Sequence, residues 1–381
     1  MTTIDSIDLF QLADNIKAWG KALGFQQVGI SDIDLAHHEQ HLKDWLDNGY
    51  HGEMDYMARH GMLRARPNEL VPGTLRAISV RLDYLPEDAR FAKHLNQPNI
   101  AYISRYAVGR DYHKVVRNKL KRLGDKIRAA VSTTDFRPFV DSAPILEHAI
   151  AEKAGIGWTG KHSLTLNSEA GSWFFLGELL INLPLPTDKP QTDACGTCSA
   201  CMTICPTNAI VAPYKVDARK CISYLTIEHS GTIDEALRPL MGNRIYGCDD
   251  CQLICPYNKE APVTKEDDFH PRDVLFGRTL LELFQWDEQT FLKNTEGSPI
   301  RRIGFAKWQR NIAIGLGNGE CSDEVLYALR NGLNRVDQMV DEHIEWALEQ
   351  LLQRREEGGA DITRQTQRLV RSIEKGMPRD A

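Results

Sequence analysis

The sequence predicts an α+β protein in three parts: a mixed α/β domain over 1–186, a cysteine-rich segment over 187–262 and a helical region over 275–381. Three observations predict this. Segments with helical and with alternating apolar period intermix before residue 186, eight of nine cysteines fall between 195 and 255, and the pattern beyond about 275 is helical. At 381 residues the chain also exceeds what one hydrophobic core usually holds.

In the first part, Leu9, Leu12, Ile16, Trp19 and Leu23 share one helical face. QQVGIS and RAISVRLDYL read as strands, the second preceded by the turn Val71–Gly73. Residues 111–130 read as a helix with Val115, Val116, Leu120, Leu123 and Ile127 inward. FRPFVDSAP reads as a strand ending at Asp141, followed by a helix with Pro144 in its first turn and Gly155 at its end. SLTL and SWFFLGELLINL read as a hairpin pair closing a sheet. The Pro-rich run 183–193 is a linker signal. FAKWQRNIAIGLGNG, SDEVLYALRNGLN and DQMVDEHIEWALEQLLQRRE read as successive amphipathic helices, a HEAT-like arrangement without a strict repeat.

Composition narrows the classes. With 42% hydrophobic and 26% charged residues the chain is neither disordered nor fibrous. The longest apolar stretch, Trp173 to Pro186, contains Glu178 and falls short of the roughly 18 residues that suggest a membrane span. The N-terminus lacks the features of a secretory signal, so a cytoplasmic protein is expected. A net charge of −6 confines any nucleic-acid contact to a local basic face.

The cysteines carry the chemistry. Cys195-x2-Cys198-x2-Cys201-x3-Cys205-Pro206 matches the bacterial ferredoxin run, in which three thiolates hold one [4Fe–4S] cube and the fourth reaches another. A second run, Cys248-x2-Cys251-x3-Cys255-Pro256, has Ile245 where its first cysteine should stand. Cys221 is the nearby spare and is assigned as the displaced ligand. Cluster one then takes Cys195, Cys198, Cys201 and Cys255, and cluster two takes Cys205, Cys221, Cys248 and Cys251. Paired zinc sites are the competing reading, but zinc does not require both spacings with a following proline. Cys321, in the helical region, reads as an ordinary small residue. Two adjacent cubes pass single electrons.

Other motifs are ambiguous by residue type alone. Gly155-x-Gly157-x-x-Gly160-Lys161 satisfies a nucleotide-binding pattern, but follows a helix and has His162 where a phosphate loop needs Ser or Thr. It reads as a helix end and tight turn. Asp141 could be a proton donor if an apolar surround raised its carboxyl, or a helix N-cap, which spacing favours. Arg105, Arg110 and His113 could line an anion site or form a solvated face. Residues 110–128 hold eight Lys/Arg against two Asp, which suits phosphate contacts or a polar helix face.

HGEMDYMARH (51–60), SRYAVGRDYHKV (104–115), FVDSAP (139–144), AEKAGIGWTGKHSL (151–164), CGTCSACMTICPTNAI (195–210), KCISYLTIEHSG (220–231) and GNRIYGCDDCQLICPYNK (242–259) together resemble the epoxyqueuosine reductases, which complete queuosine on transfer RNA. The resemblance spans nearly the whole chain. It implies a cobalamin-binding catalytic domain, a ferredoxin-like domain with two [4Fe–4S] clusters and a C-terminal HEAT-like helical domain. The implied reaction reduces epoxyqueuosine to queuosine at the anticodon wobble position, with cobalamin re-reduced through the clusters. Asp141 is the implied proton donor, displacing the cap reading. Implied cofactor contacts are Arg64, Ser104, Arg105, Asp141, Thr165, Leu176, Ser223, Cys248, Asp249, Asp250 and Cys251. Implied tRNA contacts are Lys161, Arg110, Arg301, Arg302, Lys307 and Arg310. The expected partners are tRNA and a low-potential donor such as a flavodoxin or ferredoxin, and a monomer is expected. The alternatives are a cobalamin-dependent reductive dehalogenase, disfavoured by the helical region, and an iron–sulfur electron-transfer or RNA-binding protein without chemistry of its own.

Overall fold

The computed structural model describes residues 8–357 and 362–376. The alternating segments of the first part build one four-stranded sheet from β1 (Gln27–Ser31), β2 (Arg76–Asp83), β3 (Phe136–Phe139) and β4 (Phe174–Ile181). Its order is β1-β2-β4-β3 and every neighbouring pair is antiparallel. The two-residue period sorts the side chains. Ile78, Val80, Leu82, Phe175, Leu179 and Ile181 enter one core, whereas Ala77 and Leu180 enter another.

Helices Leu9–Ala22 and Tyr112–Ala130 close the first core with Leu12, Ile16, Val116, Leu120, Leu123 and Ile127, the faces their spacing predicts. Asp8 and Asp111 cap these helices by accepting backbone N–H bonds. Gly177 sets the close approach of the second helix to β4: a Cβ there would lie 2.7 Å from Val116 and 2.9 Å from Leu120. The opposite face is covered by helix Glu147–Lys153 through Ala149 and Ile150.

Three expectations are corrected. The strand ends at Phe139, because Asp141 takes a φ of 48° and leaves the extended region. Pro144 precedes the helix, which begins at Glu147; Arg64 holds the intervening residues, donating to the Ala143 carbonyl at 3.3 Å and accepting from the Leu146 N–H at 3.1 Å. SLTL does not pair with β4. Thr165–Leu166 pairs with Trp158–Thr159, while β4, buried along its length, takes a central place between β2 and β3.

The three C-terminal patterns form helices Gly304–Asn318, Asp323–Gly332 and Gln338–Glu357. They share a core with Ala101, Ile103, Ala107 and Val108 and with Ala218, Tyr224, Ile245 and Tyr246, so the helical region and the cysteine segment are packed as one. Helix Arg364–Gly376 leaves that core. It places Leu369, Val370 and Ile373 in the first one, against helices Phe91–Asn96 and Asp250–Leu253. Among the described residues, no helix is long and apolar enough to cross a membrane.

Candidate active site and cysteine cavities

Asp141 lies in the loop between β3 and helix Glu147–Lys153. Its carboxylate accepts from the Tyr112 hydroxyl and meets His113 Nε2 at 3.1 Å, and its backbone N–H donates to Glu147 at 3.1 Å. Tyr112 and His113 open their helix, and the capping residue Asp111 holds His113 Nδ1 at 2.8 Å. The imidazole is thus held between two carboxylates. Asp141 caps no helix.

Burial alone would raise the Asp141 carboxyl, but hydrogen bonds from His113 and Tyr112 and the charges of His113 and Arg302 hold it below its ordinary value. For His113, burial acts downward, yet the hydrogen bonds and charges of Asp111 and Asp141 prevail and raise it to about 9. Glu147 is pushed up to about 8, by burial first and then by the charge of Asp141. The expectation of a raised Asp141 carboxyl is therefore corrected. The directions of these shifts favour the proton on His113 and Glu147 and the charge on Asp141.

Asp141, Tyr112 and His113 line a cavity of about 240 Å³ together with Met54, Tyr106, Ser223, Glu228, Tyr246 and Arg302. A second cavity of about 310 Å³ shares Tyr106, Tyr112 and Ser223 with it. Its lining includes Phe174, Phe175 and Leu176 of β4, the hydroxyl residues Ser104, Thr165 and Ser172, and Cys205, Cys221, Cys248 and Cys251. Cys195, Cys198, Cys201 and Cys255 line a third, of about 50 Å³. The structure thus brings the eight cysteines together as two quartets, one with three members from the first run and one from the second, the other with two from the second run, one from the first and the isolated Cys221. Among the described residues, no three His, Cys, Asp or Glu form a group that could hold a single metal ion.

The loop carrying Cys248 and Cys251 is pinned by paired acids. Asp249 is fully buried and accepts from Tyr102 at 2.8 Å, from the Ser104 hydroxyl and from the Arg105 N–H at 3.1 Å. Asp250 makes a buried two-pronged pair with Arg244, both bonds 2.8 Å. Gly247, at φ 70°, allows close contact with Ser104, 2.6 Å from where its Cβ would stand. His162 lines both cysteine cavities. Its Nδ1 accepts from the Leu164 N–H at 3.2 Å, so Nε2 carries the proton, buried and without a partner.

A family model described as epoxyqueuosine reductase QueG, DUF1730, matches residues 64–142, and a 4Fe-4S double cluster binding domain matches residues 194–258. The chain is 62% identical over 378 residues to the epoxyqueuosine reductase of Shigella dysenteriae serotype 1, covering 99% of this chain and 100% of the relative. It is 61% identical over 378 residues to that of Escherichia coli (strain K12), with the same coverage. This chain belongs to the epoxyqueuosine reductase family. Among solved structures, an epoxyqueuosine reductase crystallised with an epoxyqueuosine-modified tRNA-Tyr stem loop matches with a TM-score of 0.82 at 26% identity, covering 98% of this chain and 100% of that one. An epoxyqueuosine reductase from Bacillus subtilis, with its catalytic aspartate loop swung out of the active site, gives 0.82 at 25% identity with the same coverage.

Of the cofactor contacts that membership of the epoxyqueuosine reductases implied, Ser104, Thr165, Leu176, Ser223, Cys248, Asp250 and Cys251 line the 310 Å³ cavity. Asp141 lines the neighbouring one. Arg64, Arg105 and Asp249 line neither cavity. Arg105 donates to the carbonyls of Ala89 at 2.6 Å and Ile103 at 2.5 Å and lies over Phe91 and Tyr102. Arg64 donates to Tyr56, Met57 and Ala143. A guanidinium removed from water needs such acceptors, and carbonyls supply them.

Of the implied tRNA contacts, Arg110 and Arg301 are exposed, and Arg110 pairs with Asp268 at 3.2 Å. Arg302 stands in the Asp141 cavity and pairs with Glu228. Lys307 donates to the Ile227 carbonyl at 2.9 Å, and Lys161 to those of Gly196 at 2.6 Å and Cys198 at 2.8 Å. Arg310 is a correction: it is fully buried and donates to Leu225 at 2.6 Å, His229 at 2.9 Å and Gly231 at 2.8 Å, so it presents no surface charge. Sequence reasoning missed Tyr106, Tyr112, Tyr246, Glu147, Glu228 and His148 as site residues. It read His162 only as the residue that spoils a phosphate loop. The adjacency of Asp111, Tyr112 and His113 was the one local signal available.

Proposed function

We propose that this chain reduces epoxyqueuosine to queuosine at the wobble position of a tRNA anticodon, with the epoxide-bearing ring entering the Asp141 cavity and a cobalamin seated against the cavity of about 310 Å³ beside it, which encloses only part of so large a group. The observation that carries this reading is the shared wall of Tyr106, Tyr112 and Ser223 between a proton-bearing cavity and a cysteine-lined one. The residues present fit a large, mainly apolar macrocycle with polar edges: the aromatic and leucine lining of β4, the hydroxyls of Ser104, Thr165 and Ser223, and the orphan Nε2–H of His162. When bound, cobalamin supplies the reducing electrons that break the carbon–oxygen bond.

Removing the epoxide oxygen as water takes two electrons and two protons. His113 is protonated at neutral pH, and Asp141 bridges it to the cavity, so the departing oxygen receives its proton through the Asp141–His113 couple. Tyr112 fixes the Asp141 carboxylate, and the Glu147 acceptor on the Asp141 N–H fixes its backbone. In the Bacillus subtilis relative a catalytic aspartate loop is swung out of the active site, and in this chain these contacts hold the Asp141 loop inward.

Cys195, Cys198, Cys201 and Cys255 hold one [4Fe–4S] cluster and Cys205, Cys221, Cys248 and Cys251 the other, the second against the cobalamin cavity. Four thiols standing around a space suit a multi-atom cluster. Segments 1–186, 187–262 and 275–381 serve as the cobalamin-binding, cluster and HEAT-like tRNA-contacting parts of a cytoplasmic, monomeric enzyme. Arg110, Arg301 and Arg302 face the RNA, and a flavodoxin or ferredoxin supplies electrons. An anaerobic single-turnover assay with chemically reduced, cobalamin-loaded protein and epoxyqueuosine-modified tRNA tests this. Queuosine-containing tRNA is expected, and the absence of conversion overturns the reading.

A further inference from the structure

Cys198 is exposed and Cys195 half-buried, which makes their quartet the outer one, while Cys205, Cys221, Cys248 and Cys251 line the inner cavity. Among the described residues, His162 is the only one to line both the outer cavity of about 50 Å³ and the inner cavity of about 310 Å³. It stands in the wall between them.

The turn between strands Trp158–Thr159 and Thr165–Leu166 holds it there. The Gly160 N–H donates to the Leu164 carbonyl and the Ser163 N–H to the Gly160 carbonyl, both at 2.8 Å, and Ser163 closes the turn at a φ of 69°. Lys161 ties the tip of this turn to the outer cysteine loop, its Nζ donating to the carbonyls of Gly196 at 2.6 Å and Cys198 at 2.8 Å. The ring is oriented as well. Nδ1 accepts from the N–H of Leu164, a residue of the inner wall. The two nitrogens of an imidazole point apart, so the Nε2–H is directed away from Leu164. Cε1, between them, lies 2.9 Å from where a Cβ on Gly160 would stand, and Leu166, of the outer wall, has Cδ1 2.6 Å from the same point.

The Nε2–H is buried and has no acceptor among the described residues, whereas the neighbouring imidazole of His148 is already bonded to Thr165 Oγ1 at 2.7 Å. A buried N–H without an acceptor is costly, so this one marks an acceptor that arrives with a bound group. On the outer side the surroundings are dry: Trp158, Leu166 and Cys255 pack together, with Cys195 and Tyr257 against them.

We propose that the Nε2–H of His162 donates to a sulfur of the [4Fe–4S] cluster held by Cys195, Cys198, Cys201 and Cys255 and raises the potential of that cluster. The proposal rests on the iron–sulfur reading of the cysteines and goes beyond it in giving one side chain the tuning of one cluster. A reduced cluster carries one more negative charge than an oxidised one, so a donor to its sulfur stabilises it more. One electron enters the outer cluster and one leaves it toward the inner cavity, and the proton stays on His162 in both steps. This proton has a second claimant, the cobalamin against the inner cavity. Ring geometry selects the cluster, and the test separates the two.

The test is an anaerobic redox titration of the two-cluster holoenzyme, without tRNA, followed by EPR alongside iron content and cobalamin affinity. His162→Leu is expected to lower one of the two midpoint potentials by about 59 mV, equivalent to tenfold in a one-electron reduction equilibrium. His162→Gln, which returns an N–H near the Nε2 position, is expected to recover most of that fall. The fall should persist in Cys221→Ala protein, which is expected to keep only the outer cluster. In wild type labelled with ¹⁵N-histidine, pulsed EPR of the reduced clusters should show a weak histidine nitrogen coupling. If His162→Leu loses iron, this measurement decides, and no such coupling at either cluster overturns the proposal. Unchanged potentials with both clusters intact also overturn it. So does a fall that vanishes in Cys221→Ala, which assigns the donor to the inner cluster, and so does weaker cobalamin binding at unchanged potentials. A wild type that holds no clusters after anaerobic reconstitution overturns the iron–sulfur reading itself, and the proposal with it.

Discussion

The outer and inner cysteine quartets use the same spacing rules and sit in unlike surroundings. The outer one lines a cavity of about 50 Å³ near solvent, its loop tied down by Lys161 and Asp193. The inner one is backed by the buried Asp250–Arg244 pair and the Asp249 network, and opens on a cavity of about 310 Å³. The outer set is tuned for access and the inner set for enclosure. Because Cys255 joins the outer group and Cys205 the inner, each run of the segment also depends on the other for its place.

The comparison can be broken at several points. The largest effect is expected at the pocket the inner quartet serves. Asp141→Asn should retain both clusters and cobalamin yet lose about 10²–10⁴-fold in single-turnover rate, and wild-type rates would remove Asp141 from the proton path. Next, Cys221→Ala should lose about half the iron, since one of two four-thiolate cubes loses a ligand. The remaining cluster should still accept electrons from dithionite while turnover stops. Equal iron in variant and wild type would contradict the displaced-ligand assignment.

The pH profile sharpens the contrast further. His113 is raised to about 9, so its proton is present through neutral pH and is lost as pH rises through that value. The chemically driven turnover rate should fall there, whereas cluster reduction by dithionite should show no such limb. Asp111→Asn should move the fall to lower pH, and a limb that stays put would exclude His113. Smaller still, Arg310→Met should destabilise by about 1–3 kcal/mol in chemical unfolding by orphaning buried carbonyls. Arg301→Glu should leave stability alone and weaken tRNA binding in a salt-dependent way. Cys321→Ala should lose no iron.

The cysteine runs were legible because their spacing is local and their chemistry permits few substitutes. The gap at Ile245 located Cys221 for the same reason. Helices Ala36–Asp47 and Arg364–Gly376 were not read, whereas all four sheet strands and the longest helices were legible from pattern. The pairing of β4 was not, since a strand apolar on both faces carries no signal of its neighbours. The arginines were least legible. Arg64, Arg105 and Arg310 look from sequence like charges awaiting a ligand, but their partners are carbonyls, for Arg310 about 80 residues away in the chain. The Asp141 pocket was half legible: Asp111, Tyr112 and His113 are adjacent, whereas Ser223, Tyr246 and Arg302 arrive through the second core.

The last described helix, Arg364–Gly376, has a consequence for biogenesis. Leu369, Val370 and Ile373 complete the core of the N-terminal domain and touch helix Asp250–Leu253, which carries Cys251. The N-terminal domain therefore emerges from the ribosome before the cysteine segment and is finished after it. Its core stays open until helix Arg364–Gly376 has been made, and the inner quartet acquires its final backing only then. A chain cut short before Arg364 would present the assembly machinery with all eight cluster cysteines and an unfinished wall behind one of them.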